Sequence, residues 1–304
     1  MKNIEIGGKF SASAISLGCM RMGGLTEKRV DAIMDTAIEN GINFFDHADI
    51  YGRGDAEKVF GDYLKRNKNA RDKMFIQTKC AIHDGQFDFS KEHILKSVDG
   101  SLLRLGVDYV DVLLLHRPDT LMEPEEVAEA FDVLEASGKV RYFGVSNQNM
   151  MQMELLKTCV KQPLIANQLQ FSVTEAGMVT SGMNVNMKNP ESVMHDGGIL
   201  EYSRIKNITI QAWSPFQYGF FEGNFVDSDK YPELNRVLAE IGDKYGISKT
   251  GVAAAWILRH PANMQVIVGT MNPEHLKDVC DASDVVLTRQ EWYDIYRAAG
   301  HKLP

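Results

Sequence analysis

The chain has 304 residues, with 33 lysines and arginines against 41 aspartates and glutamates for a formal charge of −8; it is 44% hydrophobic and 24% charged. Those values belong to a globular protein long enough to bury a large core, and they exclude a disordered or fibrous chain. A net negative surface lacks the field that holds nucleic acid or acidic lipid, so the expected partners are small molecules, with no nucleic acid and no membrane.

The opening residues, Met1-Lys2-Asn3-Ile4-Glu5-Ile6-Gly7-Gly8, carry no long apolar run after Lys2. No later stretch approaches the ~18 apolar residues of a membrane span, so the expected location is cytoplasmic. Cys19, Cys80, Cys159 and Cys280 lie far apart and form no C-x-x-C, which disfavours a disulfide framework and a structural zinc site. They are expected to be buried thiols. Cys80 has a competing reading as a reactive thiol, because Lys79 beside it would lower its pKa.

In chain order, residues 4–10 read as a small hairpin turning at Gly7-Gly8 and covering one end of the fold. Short β-branched or aromatic runs then recur at 14–17, 43–45, 74–78, 109–115, 142–145, 164–169, 208–212 and 265–268. Between them, apolar residues fall three and four apart behind helix-start signals, the alternation of strands with covering helices. Val30, Ile33, Met34, Ala37 and Ile38 make one such face. Glu123-Pro124-Glu125-Glu126 places Pro and acids in a first helical turn, and Asn272-Pro273-Glu274 repeats the arrangement behind a good N-cap. Thr288 with Glu291 forms a capping box opening an extra C-terminal helix. Eight strand–helix units close on themselves. The nearest approach to a dinucleotide fingerprint, Gly52-Arg53-Gly54, lacks the third glycine and does not follow the first strand. The expected fold is an α/β, (β/α)8 TIM barrel, a single domain over residues 1–304, with an N-terminal β-hairpin and a C-terminal extra helix.

At the C-terminal ends of the runs stand Asp46, Lys79, His116, Ser146-Asn147, Gln168, Trp213-Ser214 and Gly269-Thr270. A parallel barrel opens all these ends on one mouth, so residues distant in sequence converge on one site. Asp46, Lys79 and His116 end neighbouring strands, and Tyr51 lies five residues beyond Asp46. A phenol titrates near 10 and is a poor acid at neutral pH unless a cation stabilises its phenolate; Lys79 is expected to supply that cation. Asp46 gives the lysine the counter-charge that burial requires. His116 is then placed to orient a carbonyl while Tyr51 delivers the proton. No Ser, Cys or Thr in the set stands beside an evident base, which disfavours acyl transfer. Proton delivery without a nucleophile calls for an external hydride. Ser146, Asn147 and Gln168 offer hydrogen bonds to an amide-like group, Trp213 offers a face for a flat ring, and the helix after Gly269-Thr270 offers free N–H groups to a phosphate.

These residues resemble the aldo-keto reductases. The likeness runs nearly end to end through Phe44-Phe45-Asp46-His47-Ala48-Asp49-Ile50-Tyr51-Gly52, Lys79, Leu115-His116-Arg117-Pro118-Asp119, Gly138-Lys139-Val140-Arg141-Tyr142-Phe143-Gly144-Val145-Ser146-Asn147, Gln168 and Trp213-Ser214-Pro215-Phe216. His47 beside Asp46 is similar to a bacterial oxidoreductase subgroup. The resemblance implies a barrel that reduces a small-molecule carbonyl substrate with NADPH, Asp46, Tyr51, Lys79 and His116 forming the catalytic tetrad. It also implies Ser146, Asn147 and Gln168 as carboxamide ligands, Trp213 under the nicotinamide, and Ser214 and Phe216 where the pyrophosphate is held.

The adenosine end departs from the family pattern. Its usual 2′-phosphate segment carries a Lys-Ser pair and an arginine, where this chain has Gly269, Thr270 and His275, so two fixed positive charges are missing. Thr270 and the helix N-terminus keep NADP(H) the favoured cofactor, with NAD(H) as the alternative. Phe216, Tyr218, Phe220 and Phe221 either wall an apolar substrate or pack on the barrel rim. Segment 172–198, with Met178, Met183, Met187 and Met194, is read as a substrate-shaping lid or as filler for surface gaps. Two other functions stay open. His47, Asp49, His83 and His116 raise a metal-dependent hydrolase, although Lys79 in the same place competes for the carboxylate, so no metal is expected. The second is a cofactor-binding sensor that works through a protein partner.

Overall fold

Strand identity follows from where apolar side chains fall in steps of two. In the computed structural model, which describes every residue except Asp84, eight parallel strands close into a barrel. They are β1 (Ile15–Gly18), β2 (Phe44–Asp46), β3 (Phe75–Cys80), β4 (Val110–Leu115), β5 (Val140–Ser146), β6 (Leu164–Gln170), β7 (Thr209–Trp213) and β8 (Met264–Val268). Each begins and ends within two residues of its expected run. The order runs β1 to β8 around the barrel, with β8 pairing β1 and β5 pairing β6.

Successive side chains of a strand face opposite sides, and the core divides accordingly. Phe45, Leu113 and Leu115 join the large apolar layer between strands and helices. Phe44, Val112 and Leu114, one residue out of step, join a smaller cluster with Ile165 and Ala166. The N-terminal hairpin, Asn3–Ile6 with Phe10–Ser13, packs Ile6 and Ala12 on that smaller cluster. Phe10 stacks on Phe75 at 4.4 Å and lies 5.0 Å from Tyr142. Gly7 at its turn has φ +52°, and a Cβ there would meet the Ile165 Cβ at 2.5 Å, so only glycine lets the hairpin sit this close. One barrel end is thereby covered.

The helix signals hold locally. Helix Glu27–Glu39 buries Val30, Ile33, Met34 and Ala37, but Ile38 is exposed because one further residue turns ~100° off the packed stripe. The Asn272 side chain caps Pro273–Asp281, and the reciprocal Thr288–Glu291 box opens Arg289–Ala298. Segment 172–198 contains helix Gly177–Met183 and lines no part of the main cavity. It braces the loop after β7 instead: Gly219 N donates to Glu175 Oε1 at 2.7 Å, and Ser172 Oγ donates to Gln217 O at 2.9 Å. The expectation of a substrate lid is replaced by that of a buttress. Among the described residues no helix is long and apolar enough to cross a membrane.

Candidate active site

The C-terminal ends of the strands surround a cavity of about 820 Å³. β2 ends in Asp46, β3 carries Lys79 and β4 hands on to His116. Tyr51 opens a tight turn in which Gly52 (φ 58°), Arg53 (φ 58°) and Gly54 (φ 89°) follow in left-handed conformations, which returns the chain at once into helix Asp55–Arg66.

Lys79 is fully buried, and its ammonium uses all three donors: Asp46 Oδ2 at 2.7 Å, the His47 carbonyl at 2.8 Å and the Tyr51 hydroxyl at 3.1 Å. Burial pulls Lys79 down, but Asp46 and Tyr51 more than offset it and leave its pKa raised. The lysine is a fixed cation. The Tyr51 ring lies 5.9 Å from the His116 ring, edge-on at 83°. For the phenol, burial outweighs the pull of Lys79 and holds Tyr51 above its ordinary value. This corrects the expectation of a phenol already made acidic: at rest Tyr51 keeps its proton, and Lys79 is positioned to stabilise the phenolate once that proton leaves. His116 is pushed well below 6.5 by burial, then by Lys79 and Arg117, so its ring is neutral. Burial likewise pushes the Cys80 thiol well up, against the reading of Cys80 as reactive.

Asp46 Oδ1 accepts from Gln77 Nε2 at 2.6 Å and from Gln168 Nε2 at 3.1 Å. Behind it a chain of buried amides crosses the barrel. Gln211 Nε2 donates to Gln77 Oε1 at 3.1 Å and to Gln265 Oε1 at 2.9 Å, and Gln265 Nε2 donates to Ser13 O at 2.8 Å. Low dielectric strengthens each of these bonds and makes any unmade one costly.

On the far wall, Ser146 Oγ donates to Gln168 O at 3.0 Å and accepts from Asn147 Nδ2 at 2.7 Å. Trp213 Nε1 donates to Asn147 Oδ1 at 3.1 Å. Gln168 Oε1 has no protein partner among the described residues and remains open to accept from a ligand amide. Phe221 lies nearly parallel to Trp213, centroids 5.8 Å apart, and Phe216 and Phe221 both line the cavity, whereas Tyr218, packed on Tyr231, and Phe220 do not. Ser214, at φ 51°, also lines it and donates to Gln217 Oε1 at 2.7 Å.

Gly269, Thr270 and His275 line the same cavity at the start of helix Pro273–Asp281. Arg21, from the loop after β1, donates to Gly269 O at 3.0 Å. A positive charge therefore stands at the end where local sequence showed none. His47 is buried with its ring edge-on to Phe60 at 4.5 Å, and burial pulls it down to about 3. Among the described residues no three His, Cys, Asp or Glu side chains converge as metal ligands.

The Aldo/keto reductase family profile matches residues 14–299. The chain belongs to the aldo/keto reductase family. A 6-dehydroglucose reductase of Agrobacterium fabrum is 35% identical to it, covering 98% of this chain and 98% of that protein. The uncharacterized oxidoreductase YcsN of Bacillus subtilis is 34% identical, with 100% of each chain covered. An aldo-keto reductase of Klebsiella pneumoniae, solved in complex with NADPH, shares the fold at TM-score 0.79 and 24% identity, covering 97% of this chain and 94% of that one.

Every site residue expected from the sequence of this aldo/keto reductase lines the cavity except Lys79, which lies buried behind its wall and reaches it through Tyr51. The residues missed fall in two groups. Gln77 and Gln211 stand two positions before Lys79 and Trp213, so stepping back by two from a strand end would have found them. Met20, Arg21, Ile50, Arg117 and Val226 reach the cavity from loops, and local sequence gives no signal for that.

Proposed function

We propose that this aldo/keto reductase reduces an aldehyde or ketone to the corresponding alcohol, with NADPH as hydride donor and Tyr51 as proton donor. The observation that carries the reading is the Lys79 ammonium, 2.7 Å from Asp46 and 3.1 Å from the Tyr51 hydroxyl at the cavity wall. A nicotinamide bound there supplies hydride to the carbonyl carbon. The neutral His116 ring orients the carbonyl oxygen, and Tyr51 gives its proton to that oxygen as charge develops on it. Lys79 holds the phenolate that remains until solvent returns the proton. Asp46, held by two glutamine amides, keeps the lysine charged.

The residues fit a dinucleotide. Gln168 Oε1 is free to accept from a carboxamide, with Ser146, Asn147 and Trp213 beside it. Ser214 and Phe216 line the same cavity, and Gly269, Thr270, His275 and Arg21 would hold a phosphate near the start of helix Pro273–Asp281. Arg21 supplies one of the positive charges missing from the local segment and favours NADP(H) over the alternative NAD(H).

The test is NADPH oxidation with a panel of aldehydes and ketones. Tyr51→Phe should lower turnover by about two or more orders of magnitude with NADPH affinity nearly intact. Retained turnover in that variant overturns the assignment, and parallel titrations with NADPH and NADH decide the cofactor.

A further inference from the structure

The arginine that follows His116 is set apart from the other half-buried arginines. Arg71 is paired with Asp111 at 2.9 Å and Arg104 with Glu57 at 2.7 Å, and Arg259 Nε donates to Leu287 O at 2.6 Å. Arg117 lines the cavity yet makes no hydrogen bond or ion pair with any described residue; its one contact of that kind is with Trp213, whose ring centre lies 5.6 Å from the guanidinium carbon. Three candidate carboxylates are engaged elsewhere, and Asp278, on the cavity wall, forms no ion pair with it. Asp119, two residues on, accepts from Phe89 N at 2.9 Å and Leu121 N at 2.8 Å. Asp46 is taken by Lys79, Gln77 and Gln168, and Asp227 by Lys249. Burial lowers the pKa of Arg117, and the one group that opposes it is the Tyr51 phenol rather than a carboxylate.

A partly desolvated guanidinium without a counter-charge is costly, and its planar fork matches a carboxylate with two parallel hydrogen bonds. The geometry points to Arg117 as the anchor for an anionic group on the substrate, making the preferred substrate an aldehyde or ketone that also carries a carboxylate. This rests on the carbonyl-reductase reading and narrows it. Arg117 directly follows His116 and lies against Trp213, so the anion binds in the same chamber where the carbonyl meets Tyr51. Arg117 is a specificity-determining residue: it decides which carbonyl compound is held, and the proton transfer belongs to the tetrad.

The experiment compares acid–ester pairs in which one added methyl group removes the charge: succinic semialdehyde against its methyl ester, and 4-carboxybenzaldehyde against methyl 4-formylbenzoate. The readout is the acid-to-ester ratio of kcat/KM within each protein, so a general loss of activity cancels. Wild type should favour the acids at least tenfold; Arg117→Met should bring the ratio to one or below, and Arg117→Lys should restore part of it. A wild-type preference for the esters, or a ratio unmoved by Arg117→Met, overturns the proposal. Calorimetric titration with unreactive benzoate, with and without NADP⁺, reads the same contact without turnover. Benzoate binding that weakens at least tenfold in Arg117→Met upholds the anion site even where no aldehyde is reduced, in which case only the reductase reading falls. Where no aldehyde is reduced, equal benzoate affinity in both proteins, or no benzoate binding to wild type, overturns it.

Discussion

Asp46 lies almost wholly out of water, and its two oxygens are met by one ammonium and two glutamine amides. The lysine was legible in the sequence because a charged residue at the end of an apolar run is conspicuous. Gln77 was not, because a single glutamine within a strand carries no mark of which neighbours it meets. Its place at the crossing of the amide chain has a measurable consequence. Gln77→Leu strips one donor from the buried carboxylate and leaves Gln211 short of a partner, and should cost about 2 kcal/mol. Urea denaturation would show this as a lower midpoint at unchanged slope, and an unchanged midpoint would refute the account of the network.

Helix ends were the best-read elements, since a cap depends on residues three apart whatever the rest of the chain does. In the last helix Glu291 N donates to Thr288 Oγ1 at 3.2 Å, while Thr288 N and Oγ1 donate to Glu291 Oε2 at 2.7 and 2.8 Å. Thr288→Ala removes two of these bonds and should cost about 1 kcal/mol, lowering the calorimetric Tm by roughly 1–2 °C. An unshifted Tm would mean that tertiary contacts alone hold the helix start. Segment 172–198 was read less well. Its methionines and glycines gave no period, and its role depends on the distant partners it meets: Thr180 Oγ1 lies 2.8 Å from the Tyr296 hydroxyl, and His301 Nε2 lies 2.7 Å from Val173 O.

Barrel closure also sets charges no single element could set. Asp49, between Asp46 and Tyr51, is held up to about 7 by burial and by Glu57, against the opposing pull of Arg104. Its folded value lies above the ~4 of an unfolded aspartate, so its stabilising contribution is complete below pH 4 and lost as pH rises through 7. Wild type should therefore lose roughly 2 kcal/mol relative to Asp49→Asn between pH 5 and 8. Thermal melts at both ends of that range test it, and a gap between the two proteins that stays constant would remove Asp49 as the cause. Sequence alone determined the eight strands, the plugging hairpin, the helix caps and the polar residues at the strand ends, because strand period and capping chemistry act over a few residues. Only the closed barrel decided that Arg21 reaches Gly269, that Arg117 is left without a carboxylate, that four glutamines join across the interior, and that Tyr51 keeps its proton. Those outcomes depend on burial and on partners far away in the chain, and neither is written in any local window.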